Sequence, residues 1–153
     1  MNNNISKHIT FEEATKSNTA TRLGIDNNPS DAIIETMKTT AENVFEPLRE
    51  KLGPIRITSF FRCPELNRAI GGSNSSQHTK GEAMDISGIN VTNAMLFDTA
   101  CALAEFDQII WEFGDSTNPA WVHISYSSTH NRKQILVAKK QGRRTIYIPY
   151  RKP

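Results

Sequence analysis

Histidine and carboxylate side chains that fold together can bind a metal ion, and three of them stand out in this 153-residue sequence. His78 and Asp85 are separated by Gly81, which allows a turn that brings the two side chains toward each other. His123 lies further along, in the segment Trp121–Ser125. A catalytic zinc site uses three such ligands and keeps a fourth position for water. The pattern therefore predicts a zinc site at His78, Asp85 and His123.

The segments around these residues predict how they are positioned. Residues 85–87 and 121–126 alternate polar and apolar side chains, which is typical of strands with one face in the core. If the apolar face of the second strand packs against the core, the side chain of His123 points into the same groove as that of Asp85. Spacing alone leaves two alternatives, a hydrogen-bonded structural histidine and an aspartate that caps a turn.

The other segments predict an α+β fold with a small, mostly antiparallel sheet flanked by helices, because helices dominate the first half and strands the second. We expect a single domain over residues 1–153, with an N-terminal extension at 1–29 and a basic C-terminal hairpin at 132–153. The predicted helices are 30–52, with a kink or break at Pro47, 64–70 and 92–104, and the further strands are 55–60, 107–113, 134–139 and 145–150.

The bulk composition is that of an ordinary globular protein, with 37% hydrophobic and 22% charged residues. No apolar run approaches the roughly 18 residues that a membrane span needs. The N-terminus lacks the apolar centre of a signal peptide, so we expect synthesis in the cytoplasm and action on an outside target only after release. Cys63 and Cys101 are predicted to be free thiols.

Basic charge is concentrated at the C-terminal end. Residues 132–153 hold eight of the 18 Lys and Arg residues and no acid, although the whole chain carries a net charge of only +2. This basic C-terminal segment favours binding to a polyanion, and an anionic wall polymer is one candidate. A solvated edge hairpin protected by Lys and Arg is the alternative. Nucleic-acid binding is not favoured, because no stacking platform or recognition motif accompanies the charges.

A longer pattern links the predicted ligands to a known family: Ser76-x-His78-x-x-Gly81-x-Ala83-x-Asp85, followed by Trp121-x-His123. It resembles the signature of the zinc D-Ala-D-Ala carboxypeptidases, a family that includes D-Ala-D-Ala dipeptidases and phage endolysins that cut the L-alanyl-D-glutamate bond. The segment 58–67 is similar to the family's Ser-Gly-Tyr-Arg segment. The resemblance covers about residues 30–126 and implies the fold shared with the Hedgehog signalling domain. The N-terminal part also looks like phage-encoded members.

The resemblance implies a role for each of several residues. His78, Asp85 and His123 would bind Zn²⁺, and Ser76 would help to bind the peptide. Arg62 would contact the substrate or the developing oxyanion, for which a guanidinium with two parallel donors is suited. A structural salt bridge is the alternative for Arg62.

The general base is where the sequence departs from the family. Dipeptidase members carry a Glu three residues before the last histidine, and Ala120 occupies that position here. Glu112 is our candidate for the catalytic base, since its strand is expected to lie beside the strand of His123, and Asp115 is the second candidate. A solvated carboxylate at a strand end is the alternative for Glu112.

The resemblance predicts a zinc metallopeptidase that hydrolyses a peptide bond in peptidoglycan stem peptides with a zinc-activated water. The alternative is a non-catalytic, zinc-stabilised cell-wall-binding module of a phage particle. The sequence leaves open whether the enzyme would be a carboxypeptidase or an endopeptidase, which loops 113–120 and 127–133 are expected to decide. It also leaves open the host, the release route and the oligomeric state.

Overall fold

The computed structural model describes residues 4–152. In chain order its elements are β1 (Asn4–Ser6), β2 (Ile9–Thr10), α1 (Phe11–Thr15), α2 (Asn18–Leu23), α3 (Asp31–Val44), α4 (Glu46–Leu52), β3 (Ile55–Ser59), α5 (Pro64–Ala69), a 3₁₀ helix (Gln77–Lys80), β4 (Ala83–Gly88), α6 (Asn93–Cys101), β5 (Gln108–Glu112), β6 (Trp121–Ser125), β7 (Gln134–Gln141) and β8 (Arg144–Pro149). The predicted helices and strands are therefore present, with bounds that differ by a few residues.

The main sheet has six strands in the order β3-β4-β6-β5-β7-β8. Every neighbouring pair is antiparallel except β5 and β7, which run parallel. The predicted α+β class and mostly antiparallel sheet are confirmed, but the prediction of a small sheet is wrong. The sheet is larger because β7 pairs with β5, from Gln108 opposite Gln134 to Glu112 opposite Ala138, so the C-terminal hairpin extends the same sheet.

The hydrophobic core lies between three helices and one face of this sheet. It includes Met37, Ala41 and Val44 of α3, Leu48 of α4, Phe97 and Ala100 of α6, and Met84, Ile86, Ile109, Val122 and Ile124 of the strands. Because side chains alternate along a strand, the residues between the core positions point to the opposite face of the sheet. Asp85 and His123 are two of these residues, as the sequence pattern predicted.

The helix predicted over residues 30–52 is broken, as expected, but two residues before the proline. Helix α3 ends at Val44 and α4 begins at Glu46, so Pro47 lies in the first turn of α4. A proline is tolerated there because the first-turn N–H groups have no partner within the helix. The side chain of Ser30 caps α3 by accepting a hydrogen bond from the backbone N–H of Ile33.

The N-terminal segment is fastened to α4 through the buried carboxylate of Glu46. This carboxylate accepts hydrogen bonds from the Ser6 hydroxyl at 2.5 Å and from the His8 backbone N–H at 3.0 Å. The Nδ1 atom of His8 lies 2.6 Å from the second oxygen of Glu46. Thr10 caps α1 in a capping box with Glu13.

Two sequence expectations about the whole chain can be compared with the structure. Among residues 4–152, none of the helices combines the length and the apolar character needed to cross a bilayer. Cys63 and Cys101 are both free thiols, as predicted.

Candidate metal centre

His78, Asp85 and His123 come together where β4 pairs with β6. One ligand atom from each residue lies within 4.8 Å of the other two, so the group could hold a metal ion. Asp85 and His123 are direct cross-strand partners in the β4–β6 register. The ring of His78 lies edge-on to the ring of His123, with 5.3 Å between the centroids. The three residues that the sequence singled out thus share one site.

The short 3₁₀ helix that carries His78 depends on residues at both of its ends. The hydroxyl of Ser76 accepts a hydrogen bond from the backbone N–H of His78 at 3.3 Å. Gly81 ends the helix with a φ of 76°, in the left-handed region that favours glycine. A Cβ atom at Gly81 would lie 2.6 Å from Cγ of Met37 in the core. The turn between the two ligands therefore requires glycine for its conformation and for its close contact with α3.

The imidazole of His78 is almost completely buried and is oriented by the backbone. Its Nδ1 atom lies 2.7 Å from the carbonyl oxygen of Phe60, which can only accept, so Nδ1 carries the proton and donates. The Nε2 lone pair then faces Asp85, whose Oδ2 is 3.4 Å away, but the two atoms form no hydrogen bond. Buried polar atoms are rarely left unpaired. A metal ion would satisfy this nitrogen, and backbone carbonyls commonly orient metal-binding histidines in this way.

The carboxylate of Asp85 connects the two histidines. Its Oδ1 atom lies 3.1 Å from Nδ1 of His123, and its Oδ2 atom accepts a hydrogen bond from Arg62 at 3.4 Å. Burial alone would raise the pKa of Asp85, but the interactions with His78 and His123 outweigh burial and hold this pKa well below its usual range. Burial lowers the pKa of His78. An ionised aspartate and a neutral histidine are the forms that bind metal, so the donor set fits zinc.

Arg62 is held in place by three side chains. Its guanidinium donates to the hydroxyl of Ser59 at 3.2 Å, to the amide oxygen of Asn67 at 3.1 Å and to Asp85 at 3.4 Å. Burial is the largest influence on its pKa and lowers it, while the charge of Asp85 acts in the opposite direction. Arg62 thus makes the salt bridge that was its structural alternative, and it also lines the groove described next.

A groove with a volume of about 760 Å³ runs over the metal-binding face of the sheet. Its lining comes from the loop of residues 71–76 and the 3₁₀ helix, and from β5, β6 and the β7–β8 hairpin. His78, Asp85 and His123 lie in this groove together with Arg62 and Ser76.

Glu112 is a buried carboxylate on the groove face of β5. It is the cross-strand partner of Trp121, and its side chain makes no hydrogen bond or ion pair with residues 4–152. Burial raises its pKa to about 7, with the charge of Asp85 acting in the same direction and His123 and Arg62 in the other. An acid with a pKa near neutrality in a groove is suited to general acid–base catalysis.

The family model described as Peptidase M15 matches residues 7–125, which is more than half of the chain. The chain belongs to the peptidase M15 family. M15 members are zinc peptidases, which agrees with the donor set of His78, Asp85 and His123. Family membership therefore indicates a peptidase, and it suggests peptidoglycan as the substrate class. Among curated proteins none matches the chain.

The second candidate base in this M15 peptidase, Asp115, has a different position. Its carboxylate accepts hydrogen bonds from the backbone N–H groups of Thr117 and Asn118, at 2.8 Å and 3.0 Å, and from the Thr117 hydroxyl. These hydrogen bonds shape the loop between β5 and β6, and they lower the pKa of Asp115. Asp115 does not line the groove, whereas Glu112 does.

Sequence reasoning missed Asp107, a buried carboxylate that is hydrogen-bonded to the residue next to His78. It accepts hydrogen bonds from the Arg132 guanidinium at 2.9 Å and 2.8 Å, from the Arg132 backbone N–H at 3.0 Å and from Gln77 at 2.9 Å. It thereby connects the start of β5, the loop before β7 and the residue next to His78. The sequence held one weak signal, an acid at the start of an apolar strand, but nothing in it indicated the partners.

Proposed function

We propose that this M15 peptidase hydrolyses a peptide bond in peptidoglycan stem peptides, with a zinc ion held by His78, Asp85 and His123. The observation that carries the proposal is the Nε2 atom of His78, which is buried, has no hydrogen-bond partner and faces the carboxylate of Asp85. The other two residues contribute donors within 4.8 Å. A purely structural role would leave this nitrogen unpaired at an unfavourable cost.

The proposed chemistry assigns one task to each side chain. A bound zinc ion would polarise the scissile carbonyl and lower the pKa of a coordinated water. Glu112, whose pKa lies at about 7, would accept the proton of the attacking water and pass it to the leaving amine. Arg62 would stabilise the negative charge that develops on the carbonyl oxygen. Its three hydrogen bonds would hold the guanidinium in position for that task.

We propose cleavage within a peptide rather than removal of its last residue, because groove-lining residues flank the ligands. Asp85 and His123 lie on β4 and β6 near the middle of the sheet order, so groove-lining residues lie on both sides of them. Residues 71–76, which include the proposed peptide-binding Ser76, form one wall, and the β7–β8 hairpin forms the other. These residues would contact the peptide before and after the scissile bond, as an endolysin-type endopeptidase requires.

The decisive experiment combines metal analysis with mass spectrometry of muropeptides. We expect the wild-type protein to purify with zinc and to cleave stem peptides, and we expect His78→Ala to lose bound zinc and cleavage together. His130→Ala is the matched control, because His130 is exposed and lies outside the groove. If the purified protein holds no zinc and His78→Ala lyses cell walls as well as wild type, the site assignment is wrong.

The same experiment separates the enzyme from a wall-binding module. Ala120 stands where dipeptidase members carry a catalytic Glu, which is the observation that favours a non-catalytic protein. Retention of zinc together with no cleavage of any muropeptide would support that alternative.

A contact between the basic residues 132–153 and an anionic wall polymer is a further proposal, and a salt-dependent affinity for intact walls would support it.

A further inference from the structure

One wall of the groove comes from a part of the chain that the family model does not match. The match ends at residue 125, and the β7–β8 hairpin follows it. Leu136, Lys140, Thr145 and Tyr147 of this hairpin line the groove. The parallel pairing of β7 with β5 fixes the hairpin relative to Glu112, which lies opposite Ala138. The hairpin is therefore in position to contact a substrate at the site.

The cations that line the groove differ in their partners. Arg62 pairs with Asp85 at 3.4 Å, and Arg132 pairs with Asp107 at 2.8 Å. Lys140 is the third cation lining the groove, and within residues 4–152 its ammonium has no carboxylate partner. Its Nζ atom donates to the hydroxyl of Thr145 at 3.2 Å. Lys140 therefore offers an uncompensated positive charge to a bound molecule.

Phe113 fixes the surroundings of this charge. Its φ of 56° lies in the left-handed region, which is unfavourable for a residue with a large side chain. The backbone N–H of Phe113 donates to the carbonyl of Ala138 at 3.1 Å, which ties the loop after β5 to β7. The ring lies 5.4 Å from the ring of Trp121 and 5.5 Å from Nζ of Lys140. Aromatic surfaces and one cation thus stand side by side next to Glu112.

We infer that Lys140 is a specificity-determining residue whose ammonium binds a carboxylate of the substrate on the hairpin side of the scissile bond. The inference rests on the proposed function, because it takes the substrate to be a stem peptide. Tyr147 lines the groove beside Lys140 and pairs with Ala138 across the hairpin, and burial, followed by the charges of Glu112 and Asp85, raises the pKa of its hydroxyl.

The test uses two synthetic stem peptides that differ only in one carboxyl group, free in the first and a carboxamide in the second. Hydrolysis and equilibrium binding by the zinc-loaded protein are measured for both peptides. The variants are Lys140→Gln, Lys140→Arg and the control Lys139→Gln. The control removes the same charge from the neighbouring residue, whose side chain points to the opposite face of β7 and does not line the groove.

We expect wild type to prefer the carboxylate peptide about two- to fivefold, within the range typical of exposed ion pairs. Lys140→Gln should abolish the preference by lowering kcat/KM for the carboxylate peptide, Lys140→Arg should restore the preference, and Lys139→Gln should retain it. In wild type the preference should shrink in 1 M salt because the charge is screened.

Other outcomes overturn one proposal or the other. If Lys140→Gln retains the preference, or Lys139→Gln loses it equally, Lys140 does not determine specificity. If wild type cleaves neither peptide, the proposed function fails while binding still tests Lys140. Loss of discrimination in binding by Lys140→Gln would support the inference in that case, and retention would refute it.

Discussion

Replacing Glu112 by Gln should make the metal-free protein more stable and should lower the turnover of the zinc-loaded protein. Burial raises the pKa of Glu112 from 4.5 to about 7, so the ionised form is disfavoured in the folded protein. One pKa unit corresponds to about 1.4 kcal/mol, so ionised Glu112 costs about 3 kcal/mol of folding free energy. Glutamine has the same shape and no charge, and it avoids this cost.

The pH dependence follows from the sign of the pKa change. Below the unfolded value of 4.5 both states of the wild-type protein hold the proton, so Glu112→Gln should have little effect. Between 4.5 and about 7 the unfolded chain releases the proton and the folded protein keeps it, so the stability of wild type falls as pH rises. The variant should therefore gain about 3 kcal/mol over wild type at pH 8.

Urea unfolding in the presence of EDTA, at pH 4 and at pH 8, measures this difference. Glu50→Gln is the matched control, because Glu50 is exposed and its replacement should change stability by less than about 0.5 kcal/mol at either pH. The zinc-loaded Glu112→Gln variant should retain its metal and lose about 10² to 10⁴ in rate. Equal stability of variant and wild type at pH 8 would refute the buried-acid argument, and full activity would move the base to Asp115 or another group.

Two further substitutions test the support of the site. Gly81→Ala should lower the free energy of unfolding by about 2–3 kcal/mol and weaken zinc binding, because the new Cβ atom combines left-handed backbone strain with a close contact to Met37. Gly24→Ala is the control, because Gly24 has the same backbone strain but open space around it. In the same urea titration it should cost only about 1 kcal/mol. Asp107→Asn should lose about 1–3 kcal/mol at pH 7 by weakening the hydrogen bonds from Arg132. The hydrogen bonds from Arg132 hold the pKa of Asp107 low, so wild type loses this stabilisation when Asp107 is protonated in acid. The difference in stability between Asp107→Asn and wild type should therefore shrink below pH about 4. A difference that stays constant in urea titrations down to pH 3 would contradict this role.

The sequence predicted those parts of the molecule that depend on local patterns. Alternation along β4 and β6 placed Asp85 and His123 on the face away from the core, which the structure confirms. The helix caps at Thr10 and Ser30 are local in the same way, because a cap depends on residues three positions apart. The expectation that Glu112 lies on a strand beside that of His123 is also confirmed.

The remaining features depend on contacts between distant parts of the chain. The parallel pairing of β5 with β7 enlarges the sheet. Neither strand carries a sequence pattern that predicts this pairing, because both are ordinary apolar segments. The network around Asp107 joins residues 25 and 30 positions apart in the sequence. The raised pKa of Glu112 likewise results from burial in a groove whose far wall is the C-terminal hairpin.

The direct pairing of Asp85 with His123 also makes the site a reporter of folding. The two residues are 38 positions apart in the sequence, so they meet only after a slow, non-local strand pairing has formed. A slip of β6 by one residue would send the imidazole to the core face and Val122 to the groove. Collapsed conformers with the wrong alignment therefore lack the ligand pair. In a refolding experiment, the time at which tight zinc binding appears would report when β4 and β6 reach their correct alignment.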